Sequence, residues 1–593
     1  MTDFNAVKDA IKNSVVNLFG DNNYGDVIVV EETKKEFKGD LTLICFPLLK
    51  WSRTSPENTA NLIGEYLLEK EPFFDDFNVV KGFLNLSISQ SYWLTFFKSW
   101  IKDDQFGLVK KNSGKLYMVE YSSPNTNKPL HLGHLRNIFL GDSVVSLLKA
   151  VGHNVVRTQI INDRGIHICK SMLAWERFGQ GETPESSGLK GDHLVGKYYV
   201  LFDKLYKEEI TQLISEGLSE EDAKNQAPIL ISAKKMLVDW ENNDEKVRSL
   251  WSTMNGWVYE GFRKTYKDLG VDYDKLYYES DTYELGKEVV LNALNDNLFY
   301  KKEDDSVWCD LSSDKLDDKL LIRADGTTVY MTQDIGTAVQ RFKDYPELSG
   351  VIYTVGNEQN HHFKVLFKIL SKLGYSWSSN CHHLSYGMVE LPEGKMKSRE
   401  GTVVDADDLL SSIIKESKEL TKERGHLEGL SDQDIDSLCS KIGKAGLKYF
   451  LLKVDPKKKM AFNPKESIDL NGHTGPFIQY GYARIKSLLK RSSSFDDFDL
   501  NAISLSEKEM DVVKVLSSFP SVLKHAASEF SPSILANYLF NLVKSYNSFY
   551  QESPVIREED ENIKGFRLQL SDLTSSVLSK GMNILGIEMP ERM

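Results

Sequence analysis

The sequence predicts a multidomain α/β protein with three parts: an N-terminal α/β domain, a doubly wound parallel sheet interrupted by a helical insertion, and a C-terminal helical bundle. The 593 residues have room for about three or four domains. Strand–loop–helix alternation runs from about residue 115 to about residue 405, and the apolar periodicity after that is helical. The predicted domains are residues 1–110, 111–405 with an insertion over about 180–275, a connecting segment 406–474, and 475–593.

The first domain mixes helix and strand patterns. Residues 4–19 repeat apolar residues at helical spacing, and Ser55 followed by Pro56 is typical of a helix start, because serine caps the helix and proline fits its first turn. Strands are predicted at 26–30, 41–46 and 79–88, and a further helix at 92–101.

The second domain has the pattern of a parallel sheet. A strand at 115–121 is followed by a loop rich in proline, asparagine and histidine, and then by a helix over about 133–151 that ends at Gly152. The next strand is 154–161. Later elements are a strand at 351–355, a helix at 362–373 and a strand at 384–391. The polar, helix-rich insertion lies between the two groups.

Composition limits the class of protein. The net charge of −13 neither supports nor excludes a nucleic-acid partner, because an acidic body can carry a local basic track. The five cysteines include no closely spaced pair, which argues against a zinc site and favours free thiols in a reducing compartment. The first twenty residues do not have the pattern of a signal peptide, and no apolar run approaches the roughly 18 residues of a membrane span. We expect a cytoplasmic enzyme without membrane contact.

The strongest chemical signal lies at residues 124–134, which read PNTNKPLHLGH between a strand and a helix start. Exposed amides at a helix start favour anions. Gly133 removes a side chain where a nucleotide must lie close, and His131 and His134 can donate to phosphate oxygens as negative charge builds during a displacement. The alternative is a turn with merely polar histidines.

A second signal is the basic stretch KMKSREG at residues 395–401. A lysine-rich turn on its own is more often a solvated loop. An HxGH motif at a helix start, followed about 260 residues later by a KM-type basic stretch, resembles the two signatures of class I aminoacyl-tRNA synthetases. Longer motifs narrow the resemblance to the arginyl-tRNA synthetase family. They are EYSSPN at 120–125, DGTTVYMTQDI at 325–335, GHTGPFIQY at 472–480 and GIEMPERM at 586–593.

This resemblance implies a domain plan and a set of ligands. The N-terminal domain would contact the tRNA elbow, the Rossmann-like centre would be catalytic, and the C-terminal bundle would bind the anticodon. ATP with Mg²⁺, L-arginine and an arginine-accepting tRNA are the expected ligands, without protein-bound zinc or another protein-bound metal, and we expect a monomer. The implied catalytic residues are Lys128, His131, His134 and Lys395, and the implied ATP-binding residues are Pro124, Asn125, Gly133, Met396, Ser398 and Arg399.

The resemblance also implies an arginine pocket formed by Glu120, Asn125, Tyr330, Asp334 and Gln359. The chemistry is sensible independently, because a guanidinium has five donors and a fixed charge and needs carboxylate and amide oxygens around it. Tyr330 and Asp334 share one face if their segment is helical. The alternative for Glu120 and Asp334 is an internal ion pair, and Glu358 is the alternative to Gln359.

One position departs from the class pattern. The basic stretch has Ser398 where class I enzymes usually have a lysine. In the arginine family such a loss is commonly accompanied by a lysine before the histidines, and Lys128 fits that role; Lys397 and Arg399 are alternatives.

Three rival functions are weaker. A cysteinyl or glutamyl enzyme fits less well, since the cysteine enzymes use zinc and the ligand spacing is missing. A nucleotidyltransferase would not need a long C-terminal helical domain. A non-catalytic tRNA-binding relative would not need His131, His134 and Lys395 intact. The histidine pairs 361–362 and 382–383 are predicted to be structural rather than metal ligands, and lysines 457–459 either contact a tRNA phosphate or form a solvated loop.

Overall fold

The computed structural model describes residues 4–20, 27–34, 36–109, 114–390, 404–423, 429–492, 498–499 and 502–593. Its first part is an α/β domain with a four-stranded antiparallel sheet. The elements are α1 Phe4–Phe19, β1 Val30–Glu32, β2 Leu41–Ile44, α2 Leu49–Ser52, α3 Pro56–Lys70, β3 Phe74–Val80, β4 Phe83–Ile88 and α4 Gln90–Trp100. The strand order is β1-β2-β4-β3.

The helix start at Ser55 is confirmed, since its side chain accepts a hydrogen bond from the Asn58 amide at 3.2 Å. The single strand over 79–88 is wrong. Two antiparallel strands meet there in a tight turn, where Lys81 and Gly82 both have positive φ, 48° and 81°. The apolar alternation continues across that turn, so the sequence pattern does not show where the first strand ends. The strand predicted at 26–30 begins only at Val30.

The second part contains the parallel sheet. Its elements are β5 Leu116–Glu120, α5 Leu132–Ala150, β6 Asn154–Ile161, α6 Ile166–Phe178, α7 Pro184–Ser187, α8 Gly191–Ser215, α9 Glu220–Gln226, α10 Pro228–Glu241, α11 Glu245–Leu269, β7 Lys275–Tyr278, α12 Glu279–Thr282, α13 Leu285–Asn295, β8 Tyr300–Lys301, β9 Val307–Cys309, β10 Lys319–Ile322, α14 Tyr330–Asp344, β11 Leu348–Gly356, α15 Asn360–Lys372, β12 His382–Tyr386 and β13 Val389–Glu390. Five strands pair in parallel in the order β12-β11-β5-β6-β7.

This sheet confirms the doubly wound architecture, and α7 to α11 form the predicted helical insertion. Two features were not predicted: the edge strand β7 and the small antiparallel sheet of β8, β9 and β10. The strand predicted at 384–391 is wrong as a single element, because β12 and β13 are separate and residue 391 lies outside the described residues.

The third part is helical. Its elements are α16 Ala406–Glu423, α17 Asp432–Leu452, β14 Met460–Ala461, α18 Pro464–Ser467, α19 Gly475–Lys490, α20 Glu507–Ser517, α21 Phe519–Ser528, α22 Pro532–Glu552 and α23 Glu561–Ile584. The short strand β14 pairs in parallel with β13. This pairing attaches lysines 457–459, which directly precede β14, to the sheet domain. Tyr538, Tyr546 and Phe549 are buried in the core of the bundle.

Helix α5 lies at the centre of the molecule. It packs on β5, β6 and β11 on one side and on α16, α17, α21, α22 and α23 on the other. Gly141 has no room for a side chain, since a Cβ there would lie 2.3 Å from the side chain of Tyr121. The fully buried Arg136 donates to four backbone carbonyls, those of Gly387, Asp455, Pro456 and Lys458, at 2.7–3.3 Å. The first turns of α5 are therefore fixed by both the sheet and the helical part.

Two further observations concern the chain as a whole. All five cysteines are buried free thiols, and none forms a disulfide. Within the described ranges, no helix combines the length and apolar character that crossing a membrane would require.

Candidate active site

The two histidines of the HxGH motif form the start of α5. His131 is the N-cap, and its Nδ1 accepts a hydrogen bond from the Gly133 amide at 3.1 Å. The His131 amide in turn donates to Nδ1 of His134, also at 3.1 Å. The ring centroids are 3.9 Å apart. This is a reciprocal capping box built from histidines instead of serine or threonine and glutamate.

The capping box fixes where the imidazole protons reside. Burial lowers the pKa of His131 to about 4, helped by the charge of Lys128. Burial also holds the pKa of His134 well below its usual value, with further contributions from His131 and Lys128. Both rings are therefore neutral near pH 7. Because each Nδ1 accepts a backbone hydrogen bond, each ring carries its proton on Nε2, which is then a donor available to an anion.

Lys128 is partly buried and lies close enough to both histidines for its charge to lower their pKa values. The structure thus brings together three of the four predicted catalytic residues. The fourth, Lys395, lies outside the described residues together with the predicted ATP-binding residues Met396, Ser398 and Arg399 and the alternative Lys397. Those roles stay predictions.

Gly133 has a local structural reason to be glycine. A Cβ at this position would lie 3.0–3.1 Å from the ring of His131, which folds back over the helix start. We predicted that a nucleotide lies close to the backbone at Gly133, but the ring of the capping histidine His131 already lies there. Access for a nucleotide remains a prediction.

The loop before α5 is fixed by hydrogen bonds to β6 and α5. The carbonyl of Pro124 accepts from the Asn162 amide at 2.9 Å, and the Asn137 side chain accepts from the Ser122 amide at 2.5 Å. Ser122 has a positive φ of 71°. Within this loop Pro124 is buried, whereas Asn125 is exposed and can meet a ligand.

The two predicted arginine-binding residues of α14 lie one turn apart on this helix, as the spacing required. Tyr330 is the first residue of α14 and is 75% exposed. A carboxylate oxygen of Asp334 lies 2.5 Å from Nε2 of His362, within hydrogen-bonding distance. The Asp334 side chain is still 43% exposed. Asp334 therefore makes an internal contact with His362, which was the alternative to binding arginine. Its exposed part can still contact a ligand.

Glu120 is more buried than Asp334, and its carboxylate contacts other residues of the protein. It is 6% exposed and forms a buried ion pair with Arg341 of α14, while its second oxygen accepts from the Ser123 hydroxyl at 3.3 Å. Tyr277 and Tyr353 place their rings 5.3 Å from the Arg341 guanidinium. The internal ion pair considered for Glu120 is thus present, and a direct contact with the amino acid stays a prediction.

The remaining predicted residue, Gln359, is exposed at the position just before α15. Its neighbour Glu358 is also exposed, and a Cβ at Gly356 would lie 2.3 Å from the Glu358 carboxylate. Glu358 therefore folds back over the end of β11, and the choice between Gln359 and Glu358 stays a prediction.

One acidic residue near the predicted pocket, Glu279, was not predicted from the sequence. Glu279 directly follows β7, and burial raises its pKa to about 7, with the charges of Asp163 and Asp334 acting in the same direction and Arg164 opposing them. Glu279 lies at the carboxyl end of β7, where ligands bind in open α/β sheets, and α12, which carries it, is in contact with α14, which carries Asp334. The buried Asp163 fixes this edge by accepting from the amide and hydroxyl of Ser280 at 2.9 and 2.8 Å. No motif around Glu279 signals this proximity.

Comparison with protein families gives three matches in chain order. The N-terminal domain model of arginyl tRNA synthetase matches residues 5–88. The model of the catalytic domain of class I (R) tRNA synthetases matches residues 98–463. The DALR anticodon binding domain model matches residues 478–593.

Similar proteins agree with these models. The chain is 53% identical to an arginine–tRNA ligase of Bacteroides thetaiotaomicron, over 99% of this chain and 100% of that one. It is 55% identical to that of Flavobacterium psychrophilum, over 95% and 96%. Arginyl-tRNA synthetase structures from Thermus thermophilus (22% identity, TM-score 0.79, 99% of this chain and 100% of that one) and Plasmodium falciparum (21%, 0.76, 99% of both) share the fold. The chain therefore belongs to the arginine–tRNA ligase family of class I aminoacyl-tRNA synthetases.

Proposed function

We propose that this protein joins L-arginine to its tRNA in two steps for translation. In the first step, the arginine carboxylate attacks the α-phosphorus of Mg-ATP, the bond to the β-phosphate oxygen breaks, and pyrophosphate leaves. In the second step, the terminal 2′-hydroxyl of the tRNA attacks the carbonyl carbon of the adenylate, and AMP leaves. No protein nucleophile is needed, so catalysis is positioning and electrostatic stabilisation of phosphoryl oxygens.

The observation that carries this proposal is the histidine capping box at the start of α5. Two neutral imidazoles, each with its proton on Nε2, lie beside a lysine and the amides of a helix N-terminus. Such donors stabilise the charge that develops on a pentavalent phosphate without having to lose a proton first. Lys128 adds a fixed positive charge for the leaving phosphates, which supports its role as replacement for the lysine missing at Ser398.

The acidic pair of Asp334 and Glu279 supports arginine as the substrate. A guanidinium placed between two carboxylates gains charge-assisted hydrogen bonds, and the exposed ring of Tyr330 lies one turn away on α14. Lysine lacks the planar fork of donors and should be rejected. Asn125 and Gln359 remain candidates for the α-amino and carboxylate ends. For Glu120 we favour a position beneath the substrate, held by Arg341.

Solvent-accessible aromatic side chains, in one case beside an arginine, support tRNA contacts in two domains. In the C-terminal bundle, the Arg484 guanidinium lies 5.0 Å from the ring of Tyr480 and 5.7 Å from that of Tyr550, beside a cavity of about 250 Å³. Stacking rings next to cations suit unpaired bases and their phosphates. In the N-terminal domain, the exposed Phe46 and Phe83 pack edge to face at 5.5 Å. We assign the anticodon to the first surface and the tRNA elbow to the second.

We further propose that the protein acts as a cytoplasmic monomer with Mg-ATP as its nucleotide substrate. The experiment that tests the function is ATP–pyrophosphate exchange with each amino acid in turn, with and without tRNA. Exchange with arginine alone among the amino acids, in the presence of tRNA, is expected. Exchange driven by another amino acid, or none with arginine plus tRNA, would overturn the proposal.

A further inference from the structure

The backbone that follows the basic stretch is paired directly with the HxGH motif. The Leu132 amide donates to the Val404 carbonyl at 3.2 Å, and the Ala406 amide donates to the Leu130 carbonyl at 3.0 Å. Asp405 lies between them in an antiparallel bridge with His131. Any shift of residues 404–406 is therefore transmitted to the backbone of the capping histidine.

Asp405 is held at both of its carboxylate oxygens. Oδ1 caps α16 by accepting from the Asp407 and Asp408 amides at 2.8 and 3.1 Å. Oδ2 lies 3.1 Å from Nε2 of His193, in the first turn of the insertion helix α8. Burial opposes ionisation of Asp405, but the contact with His193 and the two amides outweigh it and lower its pKa. His193 thus joins the insertion to the segment that pairs with His131.

His193 belongs to a cluster with more carboxylates than cations. Nε2 of His193 is also 3.5 Å from Asp407, which is paired in turn with Lys190, and Lys190 lies 3.2 Å from the buried Asp192. Three carboxylates thus face one lysine and one histidine. Other charged or titratable side chains around His193, lining the same cavity of about 270 Å³, are Lys128, His131, Lys197 and Tyr199.

The nearest carboxylates, those of Asp405 and Asp407 at 3.1 and 3.5 Å, favour a protonated His193. Its contact with Asp405 raises its pKa above the ordinary value of 6.5, although burial opposes the shift. His193, Asp405 and Asp407 offer ligand atoms within 4.8 Å of one another. We do not assign a metal to them, because the Lys190 ammonium already lies on Asp407 and repels a second cation.

We propose that His193 is a positioning residue for adenylate formation, which in its protonated form holds Asp405, and through it the backbone at His131, against the insertion helix α8. This role rests on the proposed function. His193 does not touch the reacting atoms. Its charge sets how firmly residues 404–406 stay paired with the HxGH motif, and so how well the phosphate donors are placed.

The pH dependence follows from the direction of the shift. Because folding raises the pKa of His193, its ion pairs contribute fully below 6.5 and are lost as the pH rises through the raised folded value. The rate of adenylate formation should therefore contain a component that declines on the alkaline side. His193→Gln removes that component, whereas His193→Lys keeps a permanent charge and should retain activity across the range.

The test is single-turnover adenylate formation from roughly pH 6 to pH 9, with arginine, Mg-ATP and tRNA saturating. The ratio of wild-type to His193→Gln rates should be about five- to tenfold at the acidic end, as expected for one charge-assisted contact, and should fall towards one at the alkaline end. Michaelis constants for arginine should stay unchanged. The exposed His525→Gln on α21 is the matched control, with a ratio of one throughout.

A pH-independent ratio, or a His193→Gln rate equal to wild type at the acidic end, would overturn the proposal. Thermal unfolding provides a second readout if His193→Gln is poorly folded. The difference in Tm between wild type and variant should be greatest below pH 6.5 and vanish at high pH, and a constant difference would count against the charge. Failure of the wild-type protein to form arginyl-adenylate would instead refute the proposed function.

Discussion

Replacing Asp334 with asparagine removes one charge from the surface that we assign to the guanidinium. The Asp334 side chain is 43% exposed, so solvent weakens its attraction for a cation, and its partner His362 can still bond to the asparagine oxygen. A charged hydrogen bond contributes about 1.5–3 kcal/mol, and each 1.4 kcal/mol is about a tenfold change. The Michaelis constant for arginine should therefore rise roughly 10- to 100-fold, with the lower half of that range favoured by the exposure.

Glu279 adds a pH dependence to the same measurement. Without substrate its pKa is raised to about 7, so that near neutral pH part of the protein carries a protonated Glu279. A guanidinium binds well only when this carboxyl is ionised. The Michaelis constant for arginine should fall as the pH rises from roughly 6 to 8, approaching about tenfold per unit on the acidic side. Glu279→Gln should abolish this dependence and leave a uniformly weak site. The exposed Glu288→Gln on α13 is the control and should behave as wild type.

The assay is steady-state ATP–pyrophosphate exchange with tRNA saturating and each substrate varied in turn. The Michaelis constant for ATP should move little in either variant, because neither carboxylate faces the HxGH histidines in our assignment. An unchanged arginine constant in Asp334→Asn would make Asp334 a partner of His362 only. A pH dependence that survives Glu279→Gln would remove Glu279 from the pocket.

Three further expectations concern the histidines, the tRNA and the anticodon surface. His134→Ala and Lys395→Ala should each slow single-turnover adenylate formation about 10²–10³-fold while leaving the fold intact, although His134→Ala also removes a helix cap and should lower Tm somewhat; wild-type rates would reject the site assignment. Arginine-dependent exchange should require tRNA, as the family resemblance implies, so full exchange without tRNA contradicts it. Arg484→Gln should weaken tRNA binding and lower the salt dependence by about one phosphate contact, and an unchanged affinity and salt slope would exclude Arg484 from the interface.

The sequence predicted those features that depend on neighbours in the chain. The HxGH motif lies at a helix start because residues 131–134 carry that signal locally, and Tyr330 and Asp334 share a helix face because four residues make about one turn. The capping box itself went unrecognised, because the usual pattern has serine or threonine where this chain has His131.

Features that depend on contacts between distant segments could not be predicted in the same way. Arg341 reaches Glu120 across 221 residues, and nothing near Glu120 indicates such a partner. Glu279 comes close to Asp334 only because β7 joins the edge of the sheet, and four residues are too few for a clear strand pattern. The pairing of β13 with β14 joins two segments of two residues each, which leave no periodicity to detect.

The burial of α5 has a consequence for how this family can diverge. One helix carries the HxGH histidines at its start and, along its length, the surface on which both the sheet and five helices of the helical part rest. The tight fit of Gly141 against Tyr121 and the four carbonyls held by Arg136 leave little room for α5 to shift relative to its neighbours. Substitutions in the C-terminal helices that contact α5 should therefore be matched by substitutions on α5 itself. A C-terminal half transplanted from a distant relative would meet a helix shaped for another partner.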